Sequence, residues 1–355
     1  ATVNTDLAFL QYTGGTTGVS KGAMLTHRNL VGNLEQLGAW MQGALEPGKE
    51  VVFQPLPLYH IFALNTALVY MTIGSETVLI ANPRDLDGFV KELASRRWSV
   101  LTGVNTLFNS LLNHPDYAKI DFSHMKLAIG GGMAVQRAVA EQWKTVTGKP
   151  IVEAYGLTET SPAACANPIT LAEFNGCIGL PICSTVITIR DDDENILPMG
   201  QTGEICIDGP QVMLGYWQRP EETAKVMTKD GAFKSGDIGI MDGKGFFKIV
   251  DRKKDMILVS GFNVYPNEIE DVVAACPGVL EVCAVAAADE KSGEVVRVVI
   301  VKKDPALTKE KVMAHCKDNL TGYKMPRIVE FWSELPKTNV GKILRREVKS
   351  TPVKA

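Results

Sequence analysis

Residues 12–22 read Tyr-Thr-Gly-Gly-Thr-Thr-Gly-Val-Ser-Lys-Gly, and this stretch guides the interpretation of the whole chain. It follows an apolar segment, 7–10, and precedes a helical pattern that begins at Thr26. Glycines let backbone N–H groups approach an anion, and hydroxyls and an ammonium add further donors. The stretch therefore predicts a polyphosphate-binding loop at the end of a strand.

The spacing inside this loop distinguishes it from commoner phosphate loops. Lys21 does not directly follow Gly18, as it would in the phosphate loop of ATPases, and Gly14 and Gly15 lie too close together for a kinase loop. A stand-alone phosphate-loop ATPase is therefore disfavoured. The structural alternative is a flexible polar turn, but turns seldom concentrate threonine, glycine and lysine this densely.

Composition narrows the class of protein. The chain has 355 residues, 45% of them hydrophobic, which is enough for two or three domains, and a net charge of −3 that gives no reason to expect nucleic acid. Seven cysteines without a C-x-x-C pair predict reduced thiols in a cytosolic protein, and five histidines form no metal-ligand pattern. No signal peptide and no apolar run of membrane-spanning length is visible.

The first 155 residues alternate strand-like and helix-like segments, and they lie in a predicted sheet part over 1–175. Such alternation predicts an α/β fold, in which a parallel sheet carries helices on its faces and ligands bind beyond the carboxyl ends of the strands. The predicted strands are 51–54, 76–80, 99–102, 126–129 and 151–154; the predicted helices are 26–41, 85–97, 106–112 and 135–146.

The pattern changes after residue 175. Short strands between turns predict a β-rich subdomain over 176–250, either an antiparallel barrel or a sheet, which completes a large domain over 1–250. The charged run 251–254 is a candidate hinge, and 255–355 predicts a small α+β domain. The predicted strands are 185–190, 203–207, 236–241, 245–250, 257–259, 282–286 and 295–301; the predicted helices are 266–275 and 309–319.

Residues 155–159, Tyr-Gly-Leu-Thr-Glu, are the second strong signal. A carboxylate and a hydroxyl after a strand can hold Mg²⁺ beside a phosphate, and Tyr155 could stack on a base. Taken alone, Glu159 could equally be a helix-start residue that interacts with the helix dipole.

Three further positions have both a functional and a structural interpretation. Asp237 at a strand entry could grip ribose hydroxyls with Arg252, or could be a turn residue. His60 follows a strand, and a lone histidine is more often structural than catalytic. Lys342, after a glycine, could neutralise charge at a phosphoryl transition state, or could belong to a solvated basic tail.

The order of these segments decides between the interpretations. The loop at Tyr12, the 155–159 turn, residues 235–237, the 251–254 break, residues 260–266 and Lys342 occur in the order typical of adenylate-forming acyl-activating enzymes. The chain resembles that superfamily throughout its length. The phrases 104–108, 209–220 and 251–270 are most similar to bacterial long-chain fatty-acid–CoA ligases.

The resemblance implies a two-step, ATP-dependent activation of a long-chain fatty acid. The carboxylate attacks the α-phosphorus of ATP, which releases pyrophosphate and leaves acyl-AMP, and coenzyme A then displaces AMP. The small C-terminal domain would rotate about the 251–254 hinge between the steps, so that Lys342 serves only the first.

The resemblance also implies a role for each site residue. Thr13, Gly14, Gly15, Thr16, Thr17, Gly18 and Lys21 would cradle the β- and γ-phosphates, with Thr13 and Glu159 serving Mg²⁺ and Thr158 reaching the α-phosphate. Gly131, Gly132 and Tyr155 would surround adenine, Asp237 and Arg252 would hold ribose, and Gly156 and Lys254 belong to the same nucleotide-binding set. Lys342 would stabilise charge during adenylation, His60 would gate the acyl or thiol path, and Ser260, Gly261 and Phe262 would face CoA.

Two departures from the superfamily pattern limit how far the family's properties apply to this chain. Relatives carry an N-terminal segment before the phosphate loop, so we expect sequence to be missing upstream, and activity to require a separate N-terminal chain if this one is inactive alone. Ala134 stands where a proline is expected, which loosens the turn at 130–133. A homodimer and a peripheral contact with the inner face of the membrane stay open, in an otherwise cytoplasmic protein.

Two alternative functions also stay open. One is an acyl-adenylate ligase that loads a carrier protein instead of CoA. The other is a truncated, non-catalytic fragment that binds only nucleotide or a partner.

Overall fold

A computed structural model of the chain describes residues 3–13 and 20–353. Their contacts divide the chain into two compact units. Unit 1 comprises Ala1–Val135, Val139–Ser235 and Gly239–Ile249, and unit 2 comprises Gln136–Ala138, Gly236–Ile238 and Val250–Ala355.

The predicted strands and helices up to residue 252 are all present, with ends that move by at most three residues, and further elements occur between them. The strands are β1 (Leu7–Thr13), β2 (Lys21–Thr26), β3 (Val51–Gln54), β4 (Glu76–Leu79), β5 (Val100–Gly103), β6 (Leu127–Gly130), β7 (Ile151–Gly156), β8 (Ala163–Ala166), β9 (Leu180–Pro181), β10 (Val186–Arg190), β11 (Gly203–Asp208), β12 (Phe233–Met241) and β13 (Phe247–Arg252). The helices are α1 (His27–Trp40), α2 (Ile61–Thr72), α3 (Leu86–Ser95), α4 (Asn105–Leu112), α5 (Arg137–Thr147) and α6 (Pro220–Val226).

The predicted parallel sheet is confirmed. Seven strands lie in the order β4-β3-β5-β6-β7-β8-β9, in which β4, β3, β5, β6 and β7 pair in parallel and β8 and β9 are added antiparallel. Strand β5 is buried along its whole length, as expected for a parallel strand covered on both faces. Helix α5 packs Trp143 edge-on against Phe108 of α4, with ring centroids 4.8 Å apart, in the main core of unit 1.

Helix α2 is the main element that the sequence did not reveal. Its residues are apolar around nearly the whole helix, so they lack the one-sided pattern that distinguishes an amphipathic helix from a buried strand. The helix is largely buried, and its first turn is capped by His60.

The β-rich part of unit 1 is an open sheet. Among the described residues, β10, β11, β12 and β13 lie in that order, and no pairing joins β10 to β13. The barrel-like description is therefore corrected to a four-stranded sheet. Strands β1 and β2 form a separate antiparallel hairpin, in which Thr13 pairs with Lys21.

Unit 2 has the α+β composition that the sequence predicts. Its strands are β14 (Ile257–Val259), β15 (Phe262–Val264), β16 (Val279–Asp289), β17 (Gly293–Lys302) and β18 (Ile328–Trp332), and its helices are α7 (Pro266–Ala274), α8 (Lys309–Asn319) and α9 (Arg345–Ser350). Strand β17 is central, because it pairs antiparallel with β14 and β16 and parallel with β18.

The two faces of β17 build two cores, in keeping with the alternation of side chains along a strand. Val298 and Ile300 lie in the core that includes residues of α7 and α8, whereas Val299 lies in the second core with Val348 of α9. This packing fixes α9, the helix that follows Lys342, on one face of the sheet.

Three expectations from the sequence can be compared with the structure: those on the cysteines, on membrane-spanning segments and on metal-ligand clusters. All seven cysteines are free thiols. Among residues 3–13 and 20–353, no helix is long and apolar enough to cross a membrane, and no three metal-binding side chains cluster.

Candidate active site

The carboxyl edge of β6 and β7 brings two of the predicted segments together. These strands are parallel neighbours, with Gly130 opposite Glu153, so the glycine turn and the 157–160 turn leave the sheet side by side. A Cβ at Gly131 would lie 3.1 Å from the Phe62 ring and 3.3 Å from the Ala154 carbonyl oxygen. Gly132 has φ +76°, a conformation that favours glycine.

At the end of β7 the backbone itself demands a glycine. A Cβ on Gly156 would lie 1.7 Å from the carbonyl oxygen of Pro162, which accepts a 3.0 Å hydrogen bond from the Leu157 N–H. The preceding residue, Tyr155, is buried in the apolar cluster that includes Ile61. Its predicted role beside adenine stays a prediction.

Glu159 lies in the turn after β7, and its side chain has a defined partner. It is buried, and the Tyr216 hydroxyl donates a 2.6 Å hydrogen bond to its Oε1, while its own carbonyl accepts a 2.8 Å bond from the Met213 N–H. Burial, and next the Glu159 charge, raise the pKa of Tyr216 well above its usual value. Tyr216 therefore remains a donor that orients the carboxylate.

Lys21 is held next to the same tyrosine. Its ammonium lies 4.9 Å from the centre of the Tyr216 ring and 2.5 Å from Glu222 Oε2. The hydrogen bond from Lys21, followed by that from Lys225, lowers the pKa of Glu222 to about 2. A cation suited to phosphate thus lies beside the tyrosine that orients Glu159.

The predicted phosphate loop joins β1 to β2. Gly14, Gly15, Thr16, Thr17 and Gly18 lie outside the described residues. Thr13 and Lys21 flank them at the loop end of the β1–β2 hairpin, and both strands contact the 158–160 turn that carries Thr158.

His60 has a structural role in this structure. Its Nδ1 accepts a 3.3 Å hydrogen bond from the Phe62 N–H and so caps α2. Histidine is not among the usual capping residues, so the sequence did not indicate this contact. A gating role for His60 stays a prediction.

Within unit 2, the predicted ribose pair is in contact. Arg252 Nε lies 3.2 Å from Asp237 Oδ1, and Asp237 is almost fully buried. The Lys253 N–H donates a 3.0 Å bond to the Gly236 carbonyl, which fixes the two segments against each other. Lys254, the other predicted binding residue of this segment, is exposed.

Lys342 lies in a tight hairpin, defined here as residues 336–344. Its N–H donates to the Thr338 hydroxyl at 3.1 Å, and its carbonyl accepts from the Thr338 N–H at 2.8 Å.

Burial, and next the Arg252 guanidinium, lower the pKa of Lys342 to about 7. Asp237 opposes this shift, while Arg345 and Lys254 add to it.

The predicted CoA-facing residues occupy the turn between β14 and β15 and the first position of β15. Ser260 and Gly261 have φ of 51° and 86°, and Phe262 is 57% exposed. The Phe262 ring stacks on Tyr323 with centroids 4.9 Å apart. These residues form an exposed turn with an aromatic side chain, and their predicted role stays a prediction.

Sequence reasoning missed three residues that shape the site. Tyr216, Glu222 and Arg345 contact predicted site residues or their immediate supports. Their partners lie 57 to 201 residues away in the chain, so no local spacing could have pointed to them.

Two family models match the chain. A model described as "AMP-binding enzyme" matches residues 1–217, and one described as "AMP-binding enzyme C-terminal domain" matches residues 268–342. The chain belongs to the AMP-binding enzyme family. The resemblance drawn from the motifs is thereby confirmed.

Individual relatives are similar to this chain over nearly its whole length. A long-chain-fatty-acid–CoA ligase of Escherichia coli O6:H1 is 58% identical over 97% of this chain and 61% of its own length. A feruloyl-CoA synthase of an Amycolatopsis species is 36% identical over 97% of this chain and 70% of its own length. The chain thus spans about three fifths of the length of the long-chain ligase relative.

Solved structures of the family share the fold. ATP-bound MatB from Rhodopseudomonas palustris is 32% identical, with a TM-score of 0.88 over 98% of this chain and 68% of MatB. MenE from Bacillus subtilis, in complex with the acyl-adenylate OSB-AMP, is 26% identical with a TM-score of 0.84 over all of this chain and 71% of its own.

Proposed function

We propose that this chain activates a long-chain fatty acid, first to acyl-AMP and then to acyl-CoA. A carboxylate oxygen attacks the α-phosphorus of ATP, and the bond to the β-phosphate oxygen breaks, which releases pyrophosphate. The CoA thiolate then attacks the acyl carbon, and the bond to the AMP oxygen breaks. The high identity to long-chain-fatty-acid–CoA ligases supports this substrate class.

The geometry around Tyr216 carries the proposal. This tyrosine contacts Lys21 through its ring and Glu159 through its hydroxyl. A nucleoside triphosphate is commonly bound by a cation that contacts its phosphate oxygens and by a carboxylate that holds its metal ion. Lys21 and Glu159 supply these two charges. A turn with only a structural role would not require this arrangement of Lys21 and Glu159 around one tyrosine.

The residues around Glu159 fit Mg²⁺. One carboxylate oxygen is held by Tyr216, and the other accepts no hydrogen bond from the described residues, so it is available to a hard cation. The hydroxyl of Thr13 is the second predicted donor. Mg²⁺ commonly binds one or two protein oxygens together with substrate phosphates and water, which suits so small a donor set. When bound, the ion would neutralise charge on the phosphates.

The other residues would hold and polarise the substrates. Asp237, oriented by Arg252, would accept hydrogen bonds from the ribose hydroxyls, since a buried carboxylate is a strong acceptor. Lys342 would supply positive charge near the carboxylate and the α-phosphate in the first step. Bound anions favour the charged amine, so substrate binding would raise its pKa above about 7.

The proposal is tested with palmitate, ATP, Mg²⁺ and CoA, by measuring palmitoyl-CoA, AMP and pyrophosphate in equal amounts. Lys342→Ala should lose palmitate-dependent pyrophosphate exchange far more than palmitoyl-CoA formation from supplied palmitoyl-AMP. Formation of ADP instead of AMP, or no acyl product while ATP binds, would contradict the proposed reaction. Equal losses in the two half-reactions would contradict the role of Lys342.

A further inference from the structure

Arg345 is the first residue of α9 and follows the Lys342 hairpin directly. Its guanidinium forms a two-pronged contact with Glu270 of α7, through Nε to Oε1 at 3.2 Å and Nη2 to Oε2 at 2.6 Å. Nη2 also donates to Asn267 Oδ1 at 2.7 Å. Arg345 thus ties the end of the hairpin to helix α7.

The same guanidinium faces the predicted hinge segment. Nη1 lies 3.7 Å from Asp251 Oδ1 and 3.8 Å from Asp255 Oδ2. Asp251 is fully buried, and its two oxygens accept hydrogen bonds from the Arg252 and Asn267 N–H groups at 2.7 and 2.8 Å. One side chain therefore joins the end of the hairpin to both helix α7 and the hinge segment, which precede it by 75 residues or more.

Other contacts hold the hairpin and α9 to the sheet. On one side, Lys337 contacts Glu281 of β16 at 2.8 Å. At the far end of α9, Arg297 donates to the Thr351 carbonyl at 2.7 Å and pairs with Glu330 at 2.5 Å. These contacts hold the hairpin and α9 to the sheet, and Arg345 adds contacts with the hinge segment.

We propose that Arg345 is a positioning residue. It holds the Lys342 hairpin to the 251–255 segment and so fixes the position of Lys342 relative to that segment. This inference rests on the proposed function for its catalytic consequence. An Arg fork is suited to the task, because its rigid plane of donors can bond one carboxylate and an amide while its charge faces two further carboxylates. Lysine, a flexible point charge, cannot replace that geometry.

Charge provides a second, independent consequence. The charged groups that act on Lys342 are Arg252, Arg345 and Lys254, which disfavour its protonation, and Asp237, which favours it. Removal of the Arg345 charge should therefore raise the pKa of Lys342 from about 7. Retention of the charge in Arg345→Lys should leave that pKa in place.

The experiment compares Arg345→Gln, Arg345→Lys and Arg346→Gln in the full chain. Arg346 is exposed and adjacent, so its variant removes the same charge from α9 without loss of the fork. The first measurement is the pH profile of Lys342 acetylation by trace acetic anhydride, read by peptide mass spectrometry, which requires no catalysis. The midpoint should rise in Arg345→Gln and stay at the wild-type value in the other two.

The second measurement separates the half-reactions. Palmitate-dependent pyrophosphate exchange should fall about 10- to 100-fold in both Arg345 variants, as expected when a charged group is misplaced by about an ångström. Thioester formation from supplied palmitoyl-AMP should change by less than about threefold, since this step does not use Lys342. Arg346→Gln should match the wild type in both.

Two results would overturn the inference. One is a Lys342 acetylation profile in Arg345→Gln that coincides with that of Arg346→Gln. The other is wild-type pyrophosphate exchange in Arg345→Lys, which also decides the matter if Arg345→Gln does not fold. Absence of exchange in the wild type would instead refute the proposed function, and the acetylation profile would still test Arg345.

Discussion

Replacement of Gly156 by alanine should damage the site through the backbone alone. The new Cβ would lie 1.7 Å from the Pro162 carbonyl oxygen and 2.5 Å from its carbonyl carbon, whereas ordinary contacts begin at 3.4 Å. Both obstacles are backbone atoms, so no side-chain rotation relieves the overlap. Strands β7 and β8 must separate by well over an ångström.

The magnitude follows from what that separation breaks. The Pro162 carbonyl accepts hydrogen bonds from the Leu157 N–H and the Thr160 hydroxyl. Loss of two buried hydrogen bonds at about 0.5–1.5 kcal/mol each, together with residual strain, predicts a decrease of about 3 kcal/mol in the free energy of unfolding. Because these bonds shape the 157–160 turn, ATP binding should weaken as well.

Urea unfolding followed by tryptophan fluorescence is a suitable assay, since four of the five tryptophans lie in unit 1. Gly38→Ala is the matched control: Gly38 is inside α1 with nothing within 4 Å of its added Cβ, so the variant should gain about 0.5–1 kcal/mol. A Gly156→Ala protein that unfolds at the wild-type urea concentration would refute the reasoning.

Three other perturbations have defined outcomes. Tyr216→Phe removes the hydrogen-bond donor to buried Glu159, so the free energy of unfolding, measured by urea titration, should fall by about 2 kcal/mol. No change would mean that the hydrogen bond is not formed. Glu222→Gln removes the carboxylate that pairs with Lys21, so ATP should bind about two- to fivefold more tightly in calorimetry. Weaker binding would contradict a competition between Glu222 and ATP for the Lys21 ammonium. Burial raises the pKa of Asp251 to about 6, above its value in the unfolded chain, so its ionisation opposes folding. The free energy of unfolding should therefore fall by about 2 kcal/mol as pH rises from about 4 to about 6, and the Asp251→Asn variant should lack this component. Parallel pH curves for the two proteins would refute it.

The sequence was informative where a pattern is local. Strand β3 and helix α8 have the predicted limits, because a buried apolar run and a Thr308 cap are both local signals. Helix α2 was missed because it is buried nearly all round. Sheet order, and the choice of an open sheet over a barrel, depend on pairings between distant strands that no single segment encodes.

The site shows the same division. The residue types that the proposed nucleotide site would need are visible in the 12–22 and 155–159 motifs, and so is the position of Lys342 after a glycine. Their supports were not visible, since Tyr216 reaches Glu159 across 57 residues and Arg345 reaches Glu270 across 75. His60 was weighed between catalysis and structure, and only coordinates could reveal its bond to the Phe62 N–H.

The most direct test of the central claim follows oxygen atoms. Palmitate labelled with ¹⁸O in both carboxylate positions is incubated with the chain, ATP, Mg²⁺ and CoA, and the products are weighed by mass spectrometry. Attack on the α-phosphorus predicts AMP that carries one ¹⁸O, with unlabelled pyrophosphate. Label in inorganic phosphate, with ADP as the nucleotide product, would place the attack on the γ-phosphorus and contradict the account.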